Sequence, residues 1–419
     1  MKGRAPKEMD AGSEGLTPAQ RRALAQIWAV LPQARLVGGV VRDLLMGRSV
    51  ADVDMATPET PEQVQDTLTA AGIKVVPTGL SHGTVTAVIA SAPYEITTLR
   101  RDMETDGRHA VVCWTTDWRE DAARRDFTIN AMSRSRDGTL HDYFGGQADL
   151  AQGLVRFVGD AGTRIEEDAL RILRFFRFQG RYGTGEPDAE AMRAITQRVG
   201  LITLLSVERV WSELQRILTG PNAATLVAMM AEAGVLSVIL PQGFALSRFI
   251  HLVQAGAPAD AVLRLAALAE GSKLDVAQHL KLSRADTAFL LAVSEGPVPE
   301  TDATTDAALR RFLADEPAPP LIGRTWLRQA TLLADAEASQ TAQTEIAQPD
   351  ARAFEALRKR LEGMPRPVFP VAGRDIVAAG HAPGPAVGQV LARVRNWWMA
   401  EGCTASREAC LDRLRHGFE

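Results

Sequence analysis

The sequence predicts an α+β protein, a small mixed α/β head followed by a long all-α remainder. Three observations predict it. Before about residue 160, short β-branched runs alternate with helical ones. From Thr163 onward, apolar residues recur at helical spacing to the end of the chain. With 46% hydrophobic and 23% charged residues over 419 positions, the chain can fill more than one core, and its length suggests roughly two to four domains.

The head elements follow in order. Ala34 to Val37 reads as a strand running through Gly38-Gly39 into a helix, Val40 to Met46. Val50 to Met55 reads as a second strand, and Thr60 to Ala71 as an amphipathic helix with Pro61 at its start. Thr84 to Ala90 and Tyr94 to Leu99 are β-branched runs joined by Ser91-Ala92-Pro93, the pattern of a hairpin. Arg101 to Glu120 is polar and charged, a loop or mobile segment. Met132 to Ser135 and Leu140 to Phe144 are strand-like around the turn Asp137-Gly138. Helices are then expected over Glu166 to Phe178, Ala189 to Val199, Val207 to Leu218 and Ala223 to Ala233. Helical patterning continues to the end, interrupted near Pro297–Pro299, Pro317–Pro320 and Pro365–Pro370.

The net charge of −4 excludes a protein that coats nucleic acid indiscriminately. It averages over unlike regions. Residues 351–416 hold eleven basic and six acidic residues, so this window carries +5 and the rest of the chain −9. A basic tail on an acidic remainder suits a protein that grips one RNA at a defined place. Only six of the 47 basic residues are lysines, and arginine's planar fork suits phosphates and base edges. Three scattered cysteines (Cys113, Cys403, Cys410) make neither a disulfide framework nor a zinc cluster. No run approaches the roughly 18 apolar residues of a membrane-crossing helix. Residues 1–17 lack an apolar secretory segment and carry Glu8, Asp10 and Glu14, unlike an acidic-poor transit peptide. A cytoplasmic location is the expectation.

The strongest local signal is Leu36-Val37-Gly38-Gly39-Val40-Val41-Arg42-Asp43 followed by Asp52-Val53-Asp54. A strand entering a helix through glycines exposes backbone N–H groups to a phosphate, and Arg42 adds charge. Asp52 and Asp54, two apart on a strand, project from one face, and adjacent carboxylates repel unless a cation sits between them. Mg²⁺ favours carboxylates together with substrate phosphates, so the pair points to metal-dependent phosphoryl or nucleotidyl transfer. A tight turn beside an exposed edge strand is the bland alternative. Glu95, in line with Ile96, is either a third acidic group or a surface residue. Asp126, within Arg124 to Ala131, is either a helix N-cap or a ribose contact. Asp168 and Arg171 share a helix face that Arg174 and Arg177 extend. They form either an exposed ion pair or a pair of hydrogen-bonding edges for a nucleobase. The doublet His141-Asp142 lacks partners for a metal-dependent phosphohydrolase and reads as structural.

Taken together and in order, these motifs resemble the class II tRNA nucleotidyltransferase and poly(A) polymerase family. The resemblance adds His82-Gly83-Thr84-Val85, Gly107 to Ala110, Asp142 to Gly146 and Ser206 to Trp211, and it covers residues 30 to 220. Gly373 to Ile376, with Gly384-Pro385 and Gly388, is similar to the family's tail. Tyr143 departs from the proline common among relatives and touches no expected contact. The resemblance implies a polymerase-β-like nucleotidyltransferase head with helical neck, body and tail. On that division, residues 1–20 are a flexible tail, 21–160 the head and 161–222 the neck. Residues 223–350 are the body, and 351–419 a basic, tRNA-binding tail.

It also implies untemplated addition of CCA to the 3′ end of tRNA from CTP and ATP. Asp52 and Asp54 would bind Mg²⁺, and Gly38, Gly39 and Arg42 the triphosphate. Arg125, Asp126 and Asn130 would contact ribose and phosphates. Asp168 and Arg171, with Arg174 and Arg177 along the same helix, would select the base. Residues 101–120 would correspond to the loop linked to the switch from CTP to ATP. Neither a membrane nor an obligate protein partner is implied. A relative adding only CC or A, a poly(A) polymerase and a catalytically idle RNA-binding module are the alternatives; the paired carboxylates argue against the last.

Overall fold

A computed structural model of the chain describes residues 15–79, 83–102, 112–301, 304–341 and 350–416. Two compact units divide it, residues 1–213 with 233–238 and residues 214–232 with 239–419. His82 and the stretch Gly107 to Ala110 lie outside the described residues.

The first unit opens with α1 (Pro18–Val30), started by a capping box in which Thr17 and Gln20 satisfy each other's backbone N–H. It begins at Pro18, inside the stretch 1–20 expected as a tail, and its Ala23, Leu24, Ile27 and Trp28 are buried. The strand β1 (Arg35–Val37) leads through Gly38 into α2 (Gly39–Leu45). Next come β2 (Asp54–Thr57), α3 (Pro61–Ala70), β3 (Lys74–Gly79), β4 (Thr84–Ile89) and β5 (Ala92–Thr98). The strands β6 (Arg100–Asp102) and β7 (Val112–Trp114) precede α4 (Trp118–Ala123), then β8 (Ser133–Arg134), β9 (Leu140–His141) and α5 (Gly146–Gln152). Four helices follow, α6 (Ala161–Glu167), α7 (Leu170–Tyr182), α8 (Ala189–Arg198) and α9 (Val207–Thr219), and the division into units falls within α9.

Among the described residues, seven strands form one sheet in the order β3-β4-β5-β2-β1-β8-β9, and β6 pairs with β7 in a second. The pairing of β2 with β5 is parallel, with Asp54 opposite Glu95 and Met55 opposite Ile96. The core beneath the sheet gathers Leu24, Ile27, Trp28, Val41, Met55, Leu68, Val85 and Ile96. A second, aromatic core joins Phe127 and Phe157, whose centroids are 5.0 Å apart, to Phe175 and Phe178 of α7.

Several expectations need correction. The strand expected over Val50 to Met55 begins only at Asp54. Val50 is drawn away from the ladder: its N–H donates to the Gly15 carbonyl at 3.0 Å and its carbonyl accepts from Gln20 at 3.0 Å. The hairpin turn lies at Ala90-Ser91, with φ of 51° and 65°, the positive values that a two-residue turn needs to match strand twist. Pro93 therefore belongs to β5, ahead of Glu95, where pairing with β2 begins. The helix expected over Glu166 to Phe178 is broken at Asp168, whose φ of −153° and ψ of 102° are extended. The described ends of the segment 101–120 are not irregular; they form β6, β7 and the start of α4. The strand β3 was not foreseen, and it holds Pro77 at the sheet edge, where a missing donor is tolerated.

The second unit is helical. Leu252, Leu263, Ala267 and Ala330 pack one cluster, and Leu309, Leu313, Leu321, Leu357 and Leu361 another. The tail has its own core around Ile376, Val394, Trp398 and Cys410. Asp375, in the Gly373 to Ile376 stretch, accepts from the Ala372 N–H at 2.8 Å and from Arg407 at 2.7 Å. The proline interruptions fall at helix boundaries. Pro319 and Pro320 sit in the first turn of the helix Ala318–Thr341, and Pro365 follows the helix Ala351–Gly363. No described helix is long and apolar enough to cross a membrane.

Phe157 is fully buried between rings, so Phe157→Ala should destabilise the first unit by about 3–5 kcal/mol. Denaturant titration followed by tryptophan fluorescence checks this, and a loss under about 1 kcal/mol would mean the aromatic cluster can collapse around the gap.

Candidate active site

A cleft of about 740 Å³ opens in the first unit. Its walls come from the turn after β1, the facing ends of β2, β4 and β5, the segment around residues 124–130, and α7. Gly38 takes φ +65° to turn the chain into α2, a conformation that favours glycine, and a Cβ there would also crowd Arg125 Nη1 at 3.0 Å.

Asp54 faces the cleft from the first position of β2, and the parallel register sets Glu95 beside it. Asp52 precedes the strand in a bend, yet Val53 between them is buried and both aspartates are exposed, so the alternation that puts them on one side survives. Although the cleft is open at this point, protein packs closely around the Asp54 carboxyl. That burial, then Glu95, then Asp52 push its pKa up, with Arg125 opposing. A carboxyl raised by two like charges is relieved by a cation placed among them, and this donor set of hard oxygens fits a divalent metal. No three acidic, His or Cys side chains among the described residues form a ready-made metal cage. Substrate phosphates would have to complete the coordination, the usual arrangement for Mg²⁺.

Six arginines and no lysine line the cleft, Arg42, Arg100, Arg124, Arg125, Arg171 and Arg174. Two of them belong to a circuit of side chains that starts and ends on α7. Arg174 of α7 donates from Nε at 2.8 Å and from Nη2 at 2.5 Å to Asp126 Oδ2. Asp126 Oδ1 accepts from the Phe127 N–H at 2.8 Å and from Asn130 at 3.0 Å. Asn130 accepts in turn from Arg42 at 2.5 Å, and Arg42 bonds Asp43 at 3.1 Å. The circuit returns to α7 through Tyr182, whose hydroxyl donates to Asp43 at 3.3 Å and whose ring lies 4.2 Å from the Arg42 guanidinium. Burial alone would raise the Asp126 carboxyl, but Arg174, Asn130 and the Phe127 N–H outweigh it and hold the group below the ordinary carboxylate range. Asp126 is thus neither a plain N-cap nor an open ribose acceptor: both its oxygens are engaged inside the protein.

Arg125 joins this wall through Asp121, which was not foreseen. Buried Asp121 accepts from Arg124 at 2.9 Å, from Arg125 at 3.2 Å and from the Arg100 N–H at 3.3 Å. These cations overcome the effect of burial and lower its pKa. The i, i+3 and i, i+4 spacing of Asp121 to the Arg-Arg doublet was the available signal.

Asp168 and Arg171, expected to share one helix face, are arranged differently. Asp168 stands at the break between α6 and α7, accepting from the Leu170 N–H at 3.1 Å and from Arg209 at 2.8 Å. Arg171 donates to Glu167 at 2.6 Å and to the carbonyls of Arg164 and Arg124 at 2.9 and 3.0 Å. Arg171 and Arg174 line the cleft, whereas Asp52, Asp168 and Arg177 are not among its lining residues. Arg177 pairs with Glu213 at 3.2 Å. The doublet His141-Asp142 is structural in geometry: His141 bonds Ser135 at 2.6 Å, and Asp142 accepts from the N–H groups that open α5.

The comparisons with known proteins follow this geometry. Residues 34–156 match the family model described as the poly A polymerase head domain. Residues 186–246 match one described as a probable RNA and SrmB-binding site of polymerase A. The chain is 36% identical to CCA tRNA nucleotidyltransferase 1, mitochondrial, of Mus musculus, over 99% of this chain and 93% of that one. It is 35% identical to the Homo sapiens protein of the same name, over 91% and 86%. Among solved structures, the CCA-adding enzyme of Bacillus stearothermophilus in complex with CTP superposes with a TM-score of 0.72 at 27% identity, covering 96% of this chain and 98% of that one. The Thermotoga maritima CCA-adding enzyme complexed with tRNA shares the fold, with a TM-score of 0.63 at 20% identity over 95% and 94%. The vertebrate names overturn the expected cytoplasmic location and point to the mitochondrion. The argument against a transit peptide had rested on Glu8, Asp10 and Glu14, which lie outside the described residues.

The raised Asp54 pKa has a testable sign. The fold holds the Asp54 proton more tightly than the unfolded chain does, so stability is lost as pH rises through the folded value. Asp54→Asn removes that loss. In metal-free buffer near pH 7 the variant should melt above the wild type, and the two should converge as pH falls through the ordinary carboxylate range. A variant melting lower near neutrality would show that attraction, not repulsion, dominates at Asp54.

Proposed function

The chain belongs to the CCA tRNA nucleotidyltransferase family, and from that premise we propose how its cleft performs the family's reaction. The protein adds CCA to the 3′ end of tRNA, taking CTP and ATP and choosing each nucleotide without a nucleic-acid template. The observation that carries the catalytic assignment is the parallel register of Asp54 with Glu95. It sets carboxylates at the mouth of a cleft walled by arginine.

In this reading Asp52 and Asp54 are the ligands of a divalent metal, Mg²⁺, and Glu95 keeps the local charge negative. When bound, such ions supply Lewis acidity, making the primer 3′-hydroxyl more acidic and neutralising charge on the triphosphate. The 3′-oxygen attacks the α-phosphorus in line, and the bond to the bridging oxygen breaks to release pyrophosphate. The Gly38-Gly39 turn lets the triphosphate approach the backbone, while Arg42 and Arg125 face it with fixed positive charge. Asn130 and Asp126 fix Arg42 and Arg174, so their contribution is orientation, with any ribose contact made at the circuit's edge.

Arg171 offers the incoming base a donor edge from the cleft wall, and Asp168, at the α6–α7 break outside that wall, offers the acceptor edge. Arg209 and Glu167 hold them in position, which supports a template made of protein. Arg174 continues the wall along α7 and Arg177 anchors that helix through Glu213. Residues 21–160 serve as the catalytic head, 161–222 as the neck, 223–350 as the body and 351–419 as the basic tail that meets tRNA.

Purified protein with Mg²⁺ and tRNA lacking its last three nucleotides should add CC from CTP alone and a terminal A once ATP is present. Long A tracts would instead identify a poly(A) polymerase. Asp54→Ala should lower addition by at least about 10³-fold while tRNA binding persists. Arg171→Ala should loosen the choice between CTP and ATP, and unchanged selectivity would remove Arg171 from the selecting pair.

A further inference from the structure

The helical second unit carries a separate, open pocket of about 190 Å³, several times the roughly 30 Å³ that one water occupies. Its walls include Arg248, Lys273, Arg324 and Arg328, and no acidic residue lines it. They come from the helix Leu246–Gln254, the helix Lys273–His279 and the long helix Ala318–Thr341.

Most of these cations are held by uncharged groups. Arg248 donates to the carbonyls of Ala267 and Ala269 at 2.6 and 3.2 Å, and Lys273 also reaches the Ala269 carbonyl. Arg324 donates to Ala292 O at 2.8 Å and Pro297 O at 2.9 Å and pairs with Glu316. The carbonyl oxygens fix where Arg248, Lys273 and Arg324 sit, and the four cations at the cavity outnumber the carboxylates that act on them. Glu270 is the other carboxylate that acts on Arg248 and Lys273. Burial and the neighbouring Arg248 nevertheless bring the Lys273 amine down to about 8. The Ser294 hydroxyl, at the end of the helix Arg284–Ser294, is buried at the same cavity and has no hydrogen-bond partner.

A cavity walled by cations and an orphaned hydroxyl calls for an anion that accepts hydrogen bonds from several directions, as tetrahedral oxyanions do. We propose that this cavity is a second, non-catalytic oxyanion site that takes a phosphate group. The phosphate belongs either to the RNA backbone or to a free anion such as the pyrophosphate that the reaction releases.

Lysine footprinting with an acylating reagent on the full chain, read by mass spectrometry, tests it. The Asp54→Ala background keeps the reaction from consuming the probes. Inorganic phosphate or pyrophosphate should slow acylation of Lys273 about tenfold relative to chloride at equal ionic strength, leaving Lys74 and Lys359 unchanged, if the free ion is the occupant. If the RNA backbone is the occupant, tRNA protects Lys273 where free phosphate does not. Arg328→Ala, at an exposed position, should then lower the salt slope of tRNA binding by about one. Equal acylation of Lys273 in chloride, phosphate, pyrophosphate and tRNA overturns the site. So does tRNA protection that Arg328→Ala and Ser294→Ala leave unchanged.

Discussion

The ion pair between Asp126 and Arg174 is the interaction on which the cleft depends. Asp126 is buried, so its charge is tolerated only because a forked cation and two further donors saturate it. Through Asn130 the same carboxylate fixes Arg42, and through Arg42 and Asp43 the chain of bonds returns to Tyr182 on the helix that supplies Arg174. The β1–α2 turn, the segment 124–130 and α7 are therefore mutually located by side chains within the site itself. Hydrophobic packing beneath them, Phe127 on Phe157 and Phe178, sets the distance at which those bonds can close.

The other half of the cleft works by the opposite rule. Asp52, Asp54 and Glu95 repel, and the fold accepts that cost because strand register leaves no alternative: β2 cannot pair with β5 without setting Asp54 beside Glu95. Engaged cations on one wall and unrelieved anions on the other make the cleft ready for a substrate that carries phosphate together with metal. Pairing the anions internally would have stabilised the protein and removed its reason to bind metal.

Much of this was legible in the sequence, and the failures have physical causes. The Gly-Gly turn, the aspartate pair and the Arg-Arg-Asp segment could be read because glycine geometry and charge crowding are local properties. The β2 start was misread because Val50 has strand propensity, and only a distant contact with Gly15 removes it from the ladder. The break at Asp168 was invisible to helical periodicity; a short carboxylate that can cap Leu170 competes with the helix it sits in. Glu95 could not be assigned from its own strand, since its neighbour is settled by a parallel pairing 41 residues away in sequence. Asp121 and Arg209 were missed as positioning groups because their significance lies in what they hold, and sequence spacing alone does not say which arginine needs holding.

This circuit of partners also restricts how the gene can drift. Each inner member of the Arg174–Asp126–Asn130–Arg42–Asp43–Tyr182 circuit bonds two neighbours, so an isolated replacement there strands a donor or an acceptor on both sides of the change. Lysine is a poor substitute at either arginine, because one ammonium cannot reproduce the fork's paired bonds. Inheritance through this part of the molecule must then proceed by compensated steps, several codons moving together, while the exposed helical faces are left to vary one residue at a time.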